Sequence, residues 1–404
     1  MATDGEIDYR SFAREQLDEA LERIDRERFP LNYQALTAEI ERRKWEAEVA
    51  ARAGITGEAS VPVRYRPEFT ADPKEYFRIW IVNLALTIVT LGIYSAWAKV
   101  RKLRYFYGCT VVAGSAFGYH GDPRAILRGR LIAAALAGTY LLARQTSTLA
   151  TFIVLGLLAL VTPWLVVKSR MFALRVTSWR GLRFDFSPDY RGAYRQLLGW
   201  LILGIATAGL LMPRFSRERY QFIVSRSRYG ATAFDCHPDA GRFFKTAFAG
   251  MGLALVVGVV LGILLAVVVG VLNAAGAPPA VTRVVTTAGV AAVYAVILSV
   301  VHGYVQARNL NEVFGTTSLG PHRVVSDLRA TPLISIYLTN LLAMVFTLGL
   351  YTPWAQIRLV RYRLEGLELE AHGSLDDFVA AAAAPVPAAT GEEISSLLDV
   401  DFGF

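Results

Sequence analysis

Three long stretches without Asp, Glu, Lys or Arg constrain this chain more than any other feature. They are Ala247–Leu272 with 26 residues, Val284–Val305 with 22 and Gln145–Val167 with 23. About 20 helical residues, each rising about 1.5 Å, cross the ~30 Å hydrocarbon core of a bilayer. The sequence therefore predicts a mainly α-helical, polytopic membrane protein rather than a soluble fold.

Apolar segments recur seven times after residue 61, and they divide the chain into three predicted parts. Residues 1–60 form a soluble helical hairpin, 61–378 form the membrane domain, and 379–404 form a flexible Ala/Pro-rich linker with an acidic tail. No signal-peptide pattern precedes them. The seven segments are 79–98, 126–143, 148–167, 197–212, 247–272, 284–305 and 331–354.

The first and last apolar segments are copies of one another. The stretch from Thr90 to Tyr105 contains Thr-Leu-Gly-Ile-Tyr-Ser-Ala-Trp-Ala, and Thr347 to Tyr362 repeats it as Thr-Leu-Gly-Leu-Tyr-Thr-Pro-Trp-Ala. A degraded copy begins at Thr207. Such self-similarity indicates duplicated structural units.

The polar connectors between the apolar segments also repeat. Alternating stretches such as Gly-x-x-Phe117-x-Tyr119 are typical of the arm of a β-hairpin. Each is followed by a short cap that ends in an aspartate, which we expect to accept the free amide hydrogens of the next helix. His120 and His237 lie in two of these caps, where turn chemistry explains them better than a metal site. The four aspartates are Asp72, Asp122, Asp189 and Asp239.

The repeated motif resembles the YjgN-like family of bacterial inner-membrane proteins. The likeness rests on Thr90 to Arg101, followed by Arg104-Tyr105-Phe106-Tyr107-Gly108, and runs from about Phe69 to the C terminus. The family is a domain of unknown function. The resemblance therefore implies an inner-membrane location and this architecture, but no activity.

The distribution of basic residues leaves two arrangements in the membrane open. If all seven segments cross, the long connectors with 17 and 10 Lys/Arg residues lie on opposite faces. If segments 79–98, 197–212 and 331–354 are re-entrant, all the long connectors share one face, with 27 such residues. Because basic connectors stay in the cytoplasm, we favour the second arrangement. It places the β-hairpin connectors and both termini on the cytoplasmic face.

Two sets of residues are candidates for binding. In the first set, a tryptophan and two arginines share one helical face; they anchor the chain at the lipid headgroups or bind an anionic lipid or solute. Asn83 and Asn340 lie inside apolar segments, where a polar side chain indicates either a binding site or a hydrogen bond between helices. The first set comprises Trp97, Arg101 and Arg104, and their copies Trp354, Arg358 and Arg361.

Two classes of function follow, and both lack a cofactor. The sequence favours a transporter- or channel-like module without ion-coupling residues; the alternative is a membrane scaffold that binds anionic lipid or a partner through the basic connectors. We expect no enzyme, because no catalytic or phosphate-binding motif is present. Residues 79–404 have a net charge of +12, which suits membrane lipids with anionic headgroups better than nucleic acid. Residues 6–53 are a candidate surface for a homo-oligomer or a partner protein.

Overall fold

The computed structural model of the chain is mostly helical, with a β-sheet assembled from the connectors. It describes residues 9, 12, 14–25, 28–52 and 62–383. Most of the predicted linker and the whole acidic tail lie outside the described residues. The strands are β1 (Val63–Tyr65), β2 (Glu68–Phe69), β3 (Thr110–Val112), β4 (Ser115–Tyr119), β5 (Thr177–Trp179), β6 (Leu182–Phe186), β7 (Ser227–Tyr229), β8 (Thr232–Cys236), β9 (Thr317–Leu319), β10 (His322–Ser326) and β11 (Leu367–Ala371).

Through most of the described chain, pairs of helices alternate with pairs of strands. A π-helical segment, Tyr194–Gly199, separates α7 from α8. The helices are α1 (Arg14–Arg23), α2 (Pro30–Arg52), α3 (Pro73–Val89), α4 (Ser95–Gly108), α5 (Pro123–Thr146), α6 (Thr148–Arg175), α7 (Tyr190–Ala193), α8 (Trp200–Ala206), α9 (Met212–Ser225), α10 (Ala240–Ala274), α11 (Pro279–Gly315), α12 (Ala330–Phe346), α13 (Thr352–Glu365) and α14 (Leu375–Ala382).

The chain divides into two compact units. The smaller unit combines the described residues up to Val63 with His372–Ala381, and the larger one contains Arg64–Ala371. In the smaller unit, helices α1 and α2 pack through Leu17 and Leu36, which are fully buried. Helix α14 continues to Ala382, so helical structure extends past residue 379, where we predicted the linker to begin.

Four helices of the larger unit are long and apolar enough to cross a membrane: α5, α6, α10 and α11. They form two long hairpins, α5–α6 and α10–α11. In the most apolar part of each helix, between 0% and 17% is buried inside the protein. Because these apolar faces are exposed, lipid has to cover them. The prediction of a helical membrane protein is therefore confirmed.

Three short hairpins alternate with the two long ones. We call α3–α4 the first hairpin, α7 to α9 with the π-helical segment the middle hairpin, and α12–α13 the last hairpin; the first and last are the outer hairpins. Their longest helices have 17 residues, fewer than the ~20 needed to span. Leu91 and Leu348 at the tips of the outer hairpins are each 94% exposed.

The connectors form the predicted β-hairpins, but these hairpins do not stay separate. Eleven strands pair into one sheet in the order β1-β11-β10-β9-β8-β7-β6-β5-β4-β3-β2. Pairs such as Phe117 with Trp179 and Phe184 with Tyr229 join each connector to the next. The predicted β-hairpins are thus parts of one larger sheet, which the sequence did not predict, because each hairpin completes its hydrogen bonds with its neighbours.

The two edges of the sheet lie close together. Its edge strands, β1 and β2, are consecutive in the chain and are separated only by Arg66 and Pro67. Three Cα–Cα steps reach at most about 11 Å, so the sheet curls back on itself. Arg66 reinforces this edge with a 2.6 Å hydrogen bond from Nε to Glu368 Oε1.

One face of the sheet carries a row of aromatic side chains. The rings of Phe117, Phe184 and Phe234 stack across successive connectors with centroids 6.3 and 6.4 Å apart. Tyr229 lies among them and donates a 2.9 Å hydrogen bond from its hydroxyl to Trp179 O. Burial raises the pKa of Tyr229 to about 12, because an ionised phenol would lose its hydration there.

Aspartates begin the helices that follow the connectors, as predicted. Asp72, Asp122 and Asp239 each accept a hydrogen bond from the amide two residues later, at 3.0–3.1 Å. Asp189 accepts one from Gly192 N at 2.7 Å. These bonds satisfy amide hydrogens that the first turn of a helix leaves free.

Candidate functional site

The Thr-x-Gly motif forms the tip of each short hairpin. At the first tip, the Thr90 hydroxyl accepts a 2.9 Å hydrogen bond from Tyr94 N, and Gly92 N donates a 2.7 Å bond to Thr87 O. The residues aligned with Thr90 and Gly92 in the other hairpins make equivalent bonds. Gly92, Gly209 and Gly349 have φ between 87° and 93°, a conformation that favours glycine. The three repeated motifs therefore build the same turn.

The outer hairpins pack against each other. Tyr76 on α3 donates a 2.9 Å hydrogen bond to Gln356 on α13, and the Trp354 ring lies 5.0 Å from that of Phe77. Arg361 donates a 3.0 Å hydrogen bond from Nη2 to Ala71 O. The contact between the outer hairpins agrees with the short distance between the two edges of the sheet.

The predicted tryptophan–arginine residues have different surroundings in the two copies. Trp97 is partly buried against the cluster of Ala96, Val100 and Phe172, whereas Arg101 and Arg104 are exposed. Among the described residues, neither arginine makes a hydrogen bond or an ion pair.

In the last hairpin, both arginines are engaged within the protein. Arg358 donates a 2.7 Å hydrogen bond to Thr339 Oγ1, and Arg361 contacts Ala71 as described. The exposed cations of the first hairpin are therefore the freer ones.

Asn83 and Asn340 are buried at the inner faces of the outer hairpins, 6% and 4% exposed. Asn340 Nδ2 donates a 3.3 Å hydrogen bond to Ala355 O across the last hairpin. The side-chain oxygen of each asparagine has no hydrogen-bond partner within the described part of the chain. The hydrogen bond to Ala355 favours a helix-packing role for Asn340. The side-chain oxygen of each asparagine can still accept a hydrogen bond.

The two cap histidines make local contacts. His120 Nε2 lies 2.8 Å from Ser178 Oγ, and His237 Nδ1 lies 3.1 Å from Asp235 Oδ1. Across residues 62–383 and the described N-terminal residues, no group of three His, Cys, Asp or Glu side chains could hold a metal ion.

The middle hairpin contains a charged cluster that our sequence analysis missed. Trp200 aligns with Asn83, Arg214 with Trp97, and Glu218 with Arg101. The Arg214 guanidinium lies 5.2 Å from the centre of the Trp200 ring, within the range of a cation–π interaction. Aligning the degraded copy residue by residue would have revealed these exchanges.

Glu218 holds this cluster together. It is 6% exposed, and its Oε1 lies 2.9 Å from both Arg214 Nε and Arg217 Nη1. Arg217 also donates a 2.8 Å hydrogen bond from Nε to Pro238 O. A buried carboxylate needs such partners, because removal from water is costly for an isolated charge.

A pocket of about 530 Å³ opens beside the Arg214–Trp200 pair. The π-helical segment supplies part of its wall, and α8 and α9 supply the rest. The pocket thus combines cationic, amide and aromatic groups at one place in the middle hairpin. Its lining residues are Arg195, Gln196, Gly199, Trp200, Leu203, Arg214 and Glu218.

Fold and hairpins together define a helical membrane protein whose connectors are joined by one β-sheet. The chain belongs to the family DUF898, described as bacterial protein of unknown function, which matches residues 64–397. The resemblance to YjgN-like proteins is thereby confirmed for the membrane domain, with α1 and α2 outside the matched range.

Curated relatives carry the name Inner membrane protein YjgN. The protein of Salmonella typhimurium is 32% identical over 127 residues, which cover 31% of this chain and 32% of the relative. The protein of Escherichia coli strain K12 is 31% identical over 146 residues, 35% of each chain. The matches thus span about a third of these relatives' length. No solved structure matches the chain.

Proposed function

We propose that this chain is a membrane scaffold of the bacterial inner membrane, which holds the curled sheet at the cytoplasmic surface. The pairing of strands from successive connectors is the observation that carries the proposal. Strands β6 and β7 belong to connectors 168–196 and 213–246, which seven crossings would separate by a bilayer. A hydrogen-bonded sheet needs all its strands on one side of the membrane, because lipid cannot supply the backbone hydrogen bonds that separated strands would lose.

In this arrangement the three short hairpins are re-entrant. They enter the membrane from the cytoplasmic side and return, while the two long hairpins cross it twice each. The exposed leucines at the tips of the outer hairpins suit contact with acyl chains. The excess of Lys and Arg in the connectors supports the cytoplasmic side for the sheet. The names of the YjgN relatives support the inner membrane as the location.

Thiol labelling tests this topology, but the two native cysteines are poor reporters. Cys236 is buried and Cys109 is half-buried, and burial raises the pKa of both thiols. The test therefore uses a Cys109→Ser, Cys236→Ala background with single cysteines at exposed strand positions. Ala116→Cys and Ala233→Cys report on the two connectors that seven crossings would place on opposite faces.

The expected result is that both positions react alike with an impermeant maleimide. They should label in inverted inner-membrane vesicles and stay protected in spheroplasts. Thr146→Cys, at the exposed far turn of the first long hairpin, is the control and should label in spheroplasts. Opposite accessibility of Ala116→Cys and Ala233→Cys would overturn the re-entrant arrangement.

The scaffold is proposed to bind anionic lipid headgroups through exposed cations, foremost Arg101 and Arg104. Headgroup phosphates attract arginines near the bilayer surface, by about 1 kcal/mol for each residue. Arg101→Gln with Arg104→Gln should reduce the phosphatidylglycerol that stays bound to the purified protein in native mass spectrometry. Arg183→Gln with Arg323→Gln removes the same charge from exposed sheet positions and should have little effect. Equal loss in both pairs would contradict a specific role of the first hairpin.

Transport stays a prediction. The exposed apolar faces of α5, α6, α10 and α11 favour the scaffold, because these helices do not enclose one another in a single chain. A second copy packed through residues 6–53 would be one way to enclose a path. Efflux of entrapped anions from vesicles that contain the protein would support transport over the scaffold.

A further inference from the structure

The pocket of the middle hairpin has the chemistry of a binding site for a phosphate group. We infer that it binds the headgroup of an anionic phospholipid, with the phosphate between Arg195 and Arg214. This inference does not rest on the scaffold proposal, because it concerns residues of the middle hairpin and not Arg101 and Arg104.

The charge balance of the pocket favours an anion. Two arginines, Arg195 and Arg214, line the pocket together with a single carboxylate, Glu218, which is also paired with Arg217 outside the lining, so the lining keeps an excess of positive charge. Arg195 is exposed and, among the described residues, makes no ion pair. Arginine presents several N–H donors in a plane and suits phosphate oxygens better than lysine does.

Arg214 is held in place before any ligand arrives. Its guanidinium stacks on Trp200, and its Nε lies next to Glu218 Oε1 without the alignment of a hydrogen bond. Because these contacts restrict the side chain, less conformational entropy is lost when a ligand binds. Glu218, although it also lines the pocket, therefore positions the Arg214 guanidinium.

The π-helical segment shapes the pocket. A π-turn widens the helix locally and occurs often at functional sites. Here it brings Arg195, Gln196 and Gly199 to the wall. A Cβ at Gly199 would meet only Tyr194 O, at 3.9 Å, so a side chain there would enter free space.

The surroundings of the pocket indicate a ligand with an acyl chain. Ile202, Leu203 and Ile205 on α8 are between 46% and 65% exposed. In the membrane these side chains face acyl chains, so a phospholipid whose headgroup occupies the pocket keeps its own chains in contact with them. Inorganic phosphate makes no such contact, so the affinities for the two ligands distinguish them.

Gly199→Leu and Arg195→Gln test the site in the full chain. Native mass spectrometry of the protein in neutral detergent measures the binding of short-chain phosphatidylglycerol, phosphatidylcholine and inorganic phosphate. Loss of one charged hydrogen bond, worth about 1.5–3 kcal/mol, predicts roughly tenfold or greater weakening for Arg195→Gln. Gly199→Leu should weaken binding at least as much by filling the pocket. Arg191→Gln, an exposed position on α7 outside the lining, is the matched control and should bind within about twofold of the unchanged chain.

The expected order of affinity is phosphatidylglycerol first, with inorganic phosphate far weaker. Wild-type-like binding by both pocket variants, or equal weakening by Arg191→Gln, would overturn the inference. If inorganic phosphate binds as tightly as phosphatidylglycerol, the inference that the bound phosphate belongs to a lipid headgroup is overturned. These results are independent of the cysteine labelling, so either proposal can fail alone.

Discussion

The middle hairpin and the outer hairpins share a turn but differ in the side chains at aligned positions. The outer hairpins carry an asparagine and a tryptophan there, and Trp354 packs on Phe77 of the other outer hairpin. The middle hairpin carries Trp200 and Arg214, which meet beside the pocket. The same turn therefore supports helix packing in the outer hairpins and a charged pocket in the middle one, and substitutions at a few aligned positions supply the difference.

The largest expected effect is the difference in stability loss between a substitution at Glu218 and one at the aligned residue Arg101. Glu218→Gln leaves Arg214 and Arg217 without their buried partner, which should lower the free energy of unfolding by about 3 kcal/mol. Arg101→Gln should change it by less than about 0.5 kcal/mol, because Arg101 is exposed. Denaturant unfolding in detergent measures both. Equal losses would show that the middle cluster is no more essential to stability than the outer surface.

The shared turn predicts equal effects in all three hairpins. Gly92→Ala, Gly209→Ala and Gly349→Ala each force an alanine to a φ near 90°, at a cost of about 1–2 kcal/mol. Gly138→Ala, in the interior of α5 with open space around its Cβ position, should be neutral or stabilising. The midpoints of thermal unfolding report the order. A turn that tolerates alanine in only one hairpin would contradict the common geometry.

A tyrosine hydroxyl clamps the start of each outer hairpin but not the middle one. Asp72 N donates a 3.0 Å bond to Tyr105 Oη, and Arg329 N donates one of the same length to Tyr362 Oη. Removing either hydroxyl with Tyr→Phe should cost about 1 kcal/mol of stability.

The middle hairpin offers the control for the tyrosine clamp, since Phe222 occupies the aligned position. Asp189 is instead paired with Arg226, at 2.5 Å. Phe222→Tyr should therefore bring no gain in denaturant unfolding. A gain comparable to the loss at Tyr105 would show that the clamp transfers to the middle copy.

The asparagines carry the smallest expected change. Asn83→Leu removes a buried carbonyl without a partner and should be neutral or stabilise the fold by up to about 1 kcal/mol. Asn340→Leu also removes the bond to Ala355 and should be close to neutral. Size-exclusion chromatography combined with unfolding separates packing from binding. Lost assembly would indicate a packing role, whereas intact assembly with lost lipid binding would indicate a site.

The features that could be predicted from the sequence are those set by neighbouring residues. The aspartate caps depend on hydrogen bonds two or three residues away, and the tips depend on a threonine and a glycine within one turn. The long apolar helices follow from composition alone. Likewise, the alternation around Phe117 and Phe184 was enough to identify strands, because side chains of a strand point alternately to its two faces.

The charged pocket could not be predicted in this way. Trp200 and Arg214 are 14 positions apart and meet only because the hairpin folds back at Gly209. The partial burial of Arg217 and the free space at Gly199 likewise depend on neighbouring elements. The recognisable motif is preserved in the outer hairpins, so it points to Arg101 and Arg358 and away from the middle hairpin.

The sequence by itself determined that the long helices of this protein need a lipid environment. It also determined the local structure of the hairpin tips and the helix caps. Uncharged helices need hydrocarbon, and the repeated turns and caps are closed by nearby atoms. Only the tertiary structure decided that the connectors form one curled sheet and that Trp200 and Arg214 meet beside a pocket in the middle hairpin. Strand partners and facing side chains are selected by contacts between distant residues, whose free energy does not appear in any short stretch of the chain.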